Sequence, residues 1–99
     1  MRAKSLFFKA LYALDQGQEA DGERILRETL QAAQVENDSV TTGSALCSLG
    51  ELLLQSGRPN EAELLLRRFQ FIKRSDGALD SDARRVAELL DVLRQNGTH

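Results

Sequence analysis

Residues 45–62 read Ala45-Leu46-Cys47-Ser48-Leu49-Gly50-Glu51-Leu52-Leu53-Leu54-Gln55-Ser56-Gly57-Arg58-Pro59-Asn60-Glu61-Ala62. Leu46, Leu49 and Leu53 stand three and four apart, which puts them on one face of a helix. Gly57 breaks that helix, and Pro59 sits where a helix start accepts proline, since the missing N–H has no partner there. The stretch is therefore a helix, a tight turn and the opening of a second helix. Gly57 also lies 40 residues after Gly17 and 40 before Gly97, and the three endings are alike: Asp15-Gln16-Gly17, Gln55-Ser56-Gly57 and Gln95-Asn96-Gly97. Eleven positions before each glycine stand Leu6, Leu46 and Val86; eight before, Lys9, Leu49 and Leu89; four before, Ala13, Leu53 and Leu93. Ala10 and Gly50 are small at a matching position, as are Gly22 and Ala62 in the following helix. Small residues at fixed places let antiparallel helices approach closely, and a period between 20 and 50 residues marks a repeat architecture.

The pattern resembles the tetratricopeptide repeat. Leu49-Gly50, Gly57 and Glu61-Ala62 stand where that family places a Leu-Gly pair, a turn glycine and a small residue. The common repeat is 34 residues long; the longer unit here, with Glu61-Ala62-Glu63 followed by Arg67-Arg68, is similar to the repeats of kinesin light chain relatives. The resemblance implies an all-α fold, a right-handed stack of antiparallel helix pairs. Five helices are expected, over about 3–16, 18–35, 39–56, 59–75 and 81–96, in one domain of residues 1–99. Two full repeats, about 3–37 and 38–77, precede a partial one at 78–97, whose helix closes the stack as terminal units must. Asp38-Ser39 and Asp80-Ser81 offer capping oxygens. Lys73 and Arg74 suit a helix C-terminus, and Gly77 a left-handed stop after the fourth helix.

Composition points the same way. Leucine dominates, aromatics are only 5%, and one proline and no tryptophan favour helix over sheet. No apolar run reaches the ~18 residues of a membrane span. The start, Met1 to Lys9, is like a secretion signal, but Lys9 and Asp15 interrupt its apolar region. A single cysteine precludes an internal disulfide and suits a reducing compartment, so a cytoplasmic protein is expected. The pairs Arg67-Arg68, Lys73-Arg74 and Arg84-Arg85 are interleaved with Asp76, Asp80, Asp82, Glu88 and Asp91, and the net charge is −2. Neither nucleic acid nor a membrane is expected as partner.

Catalytic chemistry lacks its residue types. The one histidine, His99, is the last residue, and Cys47 has no second cysteine beside it for a metal site. No enzyme, cofactor or metal is expected. The family resemblance implies instead that the first helix of each pair lines a concave groove. Its residues here are Phe7, Leu11 and Leu14, then Cys47, Glu51 and Leu54, then Ala87, Asp91 and Arg94. Family members that grip a terminal carboxylate use lysine and asparagine on this face. Phe7, Leu11, Cys47 and Glu51 occupy those places, so that activity is not carried over.

The first helix is apolar almost all round, and two arrangements satisfy it. Phe7, Leu11 and Leu14 are either core, leaving Lys9 in water, or they face a partner. The expected function is a protein–protein interaction module that takes a peptide or helix in its groove. The alternative is a scaffold unit that forms a homodimer through Phe7, Phe8, Leu11 and Tyr12. A piece of a longer array is a third reading, since two and a half units are near the minimum for a stable stack.

Overall fold

A computed structural model describes residues 2–74 and 76–97. Its elements are α1 (Arg2–Asp15), α2 (Glu19–Val35), α3 (Ser39–Gln55), α4 (Pro59–Phe69) and α5 (Asp80–Gly97). No strand occurs among the described residues. The all-helical reading and the number of helices therefore hold. Thr98 and His99 lie outside the described residues, as do Met1 and Ser75.

The same turn is built three times. The N–H of Gln18 donates to the Ala13 carbonyl and that of Gly17 to Leu14; Arg58 and Gly57 repeat this on Leu53 and Leu54, and Asp38 and Asn37 on Ala33 and Gln34. This pair of bonds satisfies carbonyls that the helix end leaves free, and it needs a left-handed residue just past the helix. Gly17 has φ 77° and Gly57 φ 76°, and Asn37 supplies the third with φ 56°. Asparagine tolerates that region better than most residues, because its short polar side chain bonds locally. Asp38 then caps α3, accepting from the Thr41 N–H at 3.0 Å and from the Thr41 hydroxyl at 2.6 Å.

Antiparallel pairing follows from which ends meet. Ala3, at the start of α1, clusters with Ala32 and Ala33 near the end of α2, and its N–H donates to Glu36 at 3.1 Å. Leu14, at the other end of α1, packs on Gly22 near the start of α2. In the second pair Leu66 of α4 lies on Gly50 and Phe69 on Gly43. α3 also packs against α1, α2 and α5. It carries the centre of the core: Leu46, Leu49 and Leu53 are at most 1% exposed, and Ala62, Leu66, Phe69, Val86 and Leu89 close around them. Leu93, expected beside them, is only half-buried, because α5 has no helix beyond it on that side among the described residues.

Three expectations need correction. α4 ends at Phe69, six residues before the expected stop, so Lys73 and Arg74 lie beyond the helix and do not serve its C-terminus. The N–H groups of Gln70, Phe71 and Ile72 bond three residues back instead of four, the tightening with which helices often finish. The chain turns there because Leu79 is drawn into the core: it is 3% exposed and packs onto Gly43. Gly77 is left-handed (φ 77°), but it belongs to the approach to α5 and does not terminate α4. Helix α5 begins at Asp80, so Asp80 and Ser81 are already in its first turn; the Ala83 N–H donates to the Leu79 carbonyl.

Candidate interaction site

The residues expected to line one groove are divided between two clefts. Leu11, Leu14 and Glu51 come together between α1 and α3, where with Ser48, Leu52 and Gln55 they border a cleft of about 230 Å³. Leu11, Leu14 and Glu51 are each half-buried. Ala87, Asp91 and Arg94 border a separate cleft of about 490 Å³, shared with Arg67 and Gln70 at the end of α4. Phe7 and Leu54 border neither; both are half-buried against the core. Cys47 is buried at 5% exposure and is a core residue, not a groove residue. Its Sγ lies 3.9 Å from the Asp82 carbonyl oxygen, as a donor between α3 and α5.

The helical geometry explains the division. Leu14 and Gly50 touch the second helix of their own pair, so Arg94, 80 residues after Leu14, and Leu90, 40 after Gly50, present the same side of α5. That side has no second helix to meet among the described residues, and it opens as the larger cleft. Leu11 and Glu51 instead lie where the first helices of the two pairs meet each other.

Electrostatics fix Glu51 in place. Arg85 donates to its carboxylate at 2.7 Å and also approaches Glu88 at 3.4 Å. Glu51, and after it Glu88, holds the Arg85 guanidinium more firmly protonated than usual. Burial, followed by the negative charge of Asp82 and Glu51, pushes the Cys47 thiol up to about 12. A thiol of that kind carries no thiolate at neutral pH, so Cys47 is inert as a nucleophile.

On the outer side of α1, Phe8 is 58% and Tyr12 66% exposed, one helical turn apart. The Phe7 and Phe8 rings meet at 6.2 Å. Of the four residues named for self-association, Phe8 and Tyr12 are thus presented to solvent, while Phe7 and Leu11 are half-buried.

One charged network was not read from the sequence. Arg58, at the N-cap of α4, donates to Glu23 of α2 at 2.8 Å and to Glu61 at 2.9 Å. Arg27 of α2 closes the ring through Glu23 at 2.9 Å and Glu61 at 3.2 Å. The Arg58 guanidinium, and after it Arg27, holds Glu23 below the usual carboxylate range, against the opposing effect of burial. Arg58 is therefore not the outward surface residue that its position in the turn suggests. The 40-residue period carries a signal that would have found the network, since Glu23 and Arg27 recur as Glu63 and Arg67.

Among the described residues no group of three or more histidine, cysteine, aspartate or glutamate side chains could hold a metal ion. Within the same residues, no helix is long and apolar enough to cross a membrane. Compared with protein-family models, with curated proteins and with solved structures, the chain finds no match in any of the three.

Proposed function

We propose that the chain is a non-enzymatic interaction module of the tetratricopeptide kind, a right-handed stack of two helix pairs and a closing helix. It binds a peptide or helix of another protein between α1 and α3. The cleft where the first helices of the two pairs meet carries this reading. Leu11 and Leu14 give it one apolar side, and Glu19 and Glu51, the second paired with Arg85, give it an acidic rim. Such a cleft suits an apolar anchor residue flanked by hydrogen-bonding backbone, as helix- and peptide-binding grooves do. A cytoplasmic setting is part of the proposal, on the ground of the single unpaired cysteine. Selection of displayed random peptides on the intact chain tests it. Peptides that share an apolar anchor and lose binding to Leu11→Lys support the reading. Selected peptides indifferent to that change would refute the site.

A second reading rests on the exposed Phe8 and Tyr12. Two large aromatic side chains one turn apart on an outer helix are a surface that a second copy could cover. Sedimentation equilibrium at rising concentration separates this from the first reading. A dimer abolished by Phe8→Lys with Tyr12→Lys supports it, and a monomer at every concentration removes it.

A further inference from the structure

The cleft between α1 and α3 opens where both helices end. Leu14 and Gln55, in the last turns of α1 and α3, line it, and so does Glu19 at the start of α2. A helix C-terminus carries partial negative charge and is stabilised by a cation beside it. α4 meets this with Arg67 and Arg68 in its last turn and α5 with Arg94, whereas α1 and α3 have no basic residue there. α1 runs against the rule, starting with Arg2 and Lys4 and ending on Asp15. The following turns satisfy the last carbonyls, since Gln18 donates to Ala13 and Arg58 to Leu53, but a backbone N–H brings no net charge. Asp15 stands one turn after Leu11 on the same stripe of α1, at the place where α3 sets Gln55 in the cleft. Asp15 and Glu19 are both exposed. No lysine or arginine pairs with either among the described residues, unlike Glu23, Glu51, Glu61 and Glu63. Lys9 lies two residues before Leu11 and so on the opposite side of α1. Arg85 reaches the cleft only through Glu51 and is shared with Glu88. Glu19 also suits the first turn of α2. Asp15 has no such role, and its charge opposes the helix that it ends. A local rule broken with no contact to offset it marks a functional position.

We infer that this cleft takes a basic segment of a partner protein, one whose apolar anchor is flanked within a turn by lysine or arginine. The inference rests on the cleft reading above and adds the charge of the partner. Leu11, Leu14 and Leu52 receive the anchor. The flanking cation comes to lie by Asp15 and Glu19, at the negative ends of α1 and α3. It supplies across the interface what Arg67, Arg68 and Arg94 supply to α4 and α5 within the chain. Because Asp15 and Glu19 are exposed, the attraction is screened by salt. An acidic segment with the same anchor brings like charges together and is rejected.

The probe is a fluorescent, alanine-rich helical peptide with two leucines one turn apart as anchor. Its flanking positions, one turn to either side, are all lysine, all glutamine or all glutamate. Each version is titrated with the full chain and read by anisotropy. The lysine peptide is expected to bind saturably, about tenfold or more tighter than the glutamate peptide at low salt, with glutamine between them. The gap should narrow as salt rises. Asp15→Lys with Glu19→Lys, both at exposed positions, should reverse the order while circular dichroism stays unchanged. Glu28→Lys with Glu63→Lys changes the net charge equally elsewhere on α2 and α4 and should leave the order as it was. No saturation by the lysine peptide, equal binding of the three, or an order that the Asp15 and Glu19 changes leave intact would overturn the inference. Reversal by the Glu28 and Glu63 changes would assign the preference to net charge alone and overturn it too. Leu11→Ser, which alters no charge, separates the two levels. Weaker binding of all three peptides in the same order supports both. Weaker binding in a set that shows no charge preference removes the basic partner and keeps the cleft. Binding that Leu11→Ser leaves untouched refutes the cleft reading, and the inference with it. A dimer that Asp15→Lys with Glu19→Lys abolishes, seen by sedimentation, would make the occupant a second copy and overturn the partner assigned here.

Discussion

Gly50→Ala is the sharpest test of how closely α3 and α4 approach. On an exposed helix this change stabilises by about 0.5–1 kcal/mol, because glycine loses more backbone freedom on folding. Here a methyl group at Gly50 would meet Leu66 Cδ2 at 2.5 Å and Cγ at 2.7 Å. Leu66 is completely buried, so it has no solvent to swing into and must leave its rotamer or push the helices apart. Overpacking of that kind costs about 1–3 kcal/mol, which outweighs the helical gain. A net loss of about 1–2 kcal/mol is expected, or a fall in Tm of roughly 4–16 °C for a domain of this size. The assay is urea unfolding of Gly50→Ala, Leu66→Ala and the double variant. Leu66→Ala alone should cost about 2–5 kcal/mol. In the double variant the new methyl occupies space that the leucine vacated, so the coupling should be favourable by about 1–3 kcal/mol. If Gly50→Ala stabilises the chain, or the two effects simply add, the close packing of α4 on α3 at this point is wrong.

Five residues probe the turns, the capped ends and the core. Gly57→Ala forces a left-handed alanine and should cost about 1–2 kcal/mol, whereas Asn37→Gly should be neutral or slightly stabilising; thermal melts of the two decide it. Glu23 and Asp38 are both held below their ordinary values, Glu23 first by Arg58 and Asp38 first by the Thr41 hydroxyl. A depressed folded-state value means that acid favours the unfolded chain. Their contribution is complete above the ordinary values of 4.5 and 3.8 and is lost as pH falls through the folded ones. Glu23→Gln with Asp38→Asn should flatten the fall of Tm in that acid window, and an unchanged slope would contradict it. Cys47 should resist alkylation at mildly alkaline pH while folded and react promptly in denaturant, as followed by mass spectrometry.

The sequence carried the elements and the core because both repeat a short-range pattern. Leu46, Leu49, Leu53 and their counterparts Val86 and Leu89 sit at helical spacing, and all are buried. The end of α4 was not legible, since its stop is set by Leu79 packing on Gly43, a contact between residues 36 apart that no local signal announces. Asn37 was missed as a turn residue for a different reason: glycine is the strong marker of the left-handed region, and asparagine reaches it only sometimes. The groove failed to assemble as one surface because a 40-residue alignment fixes which side of each helix a residue occupies, not what that side meets. Cys47 is packed between α3 and α5, while Ala87 holds the matching place on α5 and is exposed.

That distinction accounts for the unequal ends of the molecule. At one end α1 is lined inward by Ala3, Ala10 and Ala13, which are almost fully buried and let α2 lie close, so its bulk is turned outward in Phe8 and Tyr12. At the other end α5 puts Leu90 where α1 has Ala10 and α3 has Gly50. A stack whose last helix simply closed it would place charge on that side, as terminal repeats with a polar outer face do. Asp91 and Arg94, both exposed, meet this requirement and Leu90 does not. Leu90 therefore stands half-exposed among Arg67, Glu88, Asp91 and Arg94, where the two earlier helices bury a small residue under a neighbouring helix.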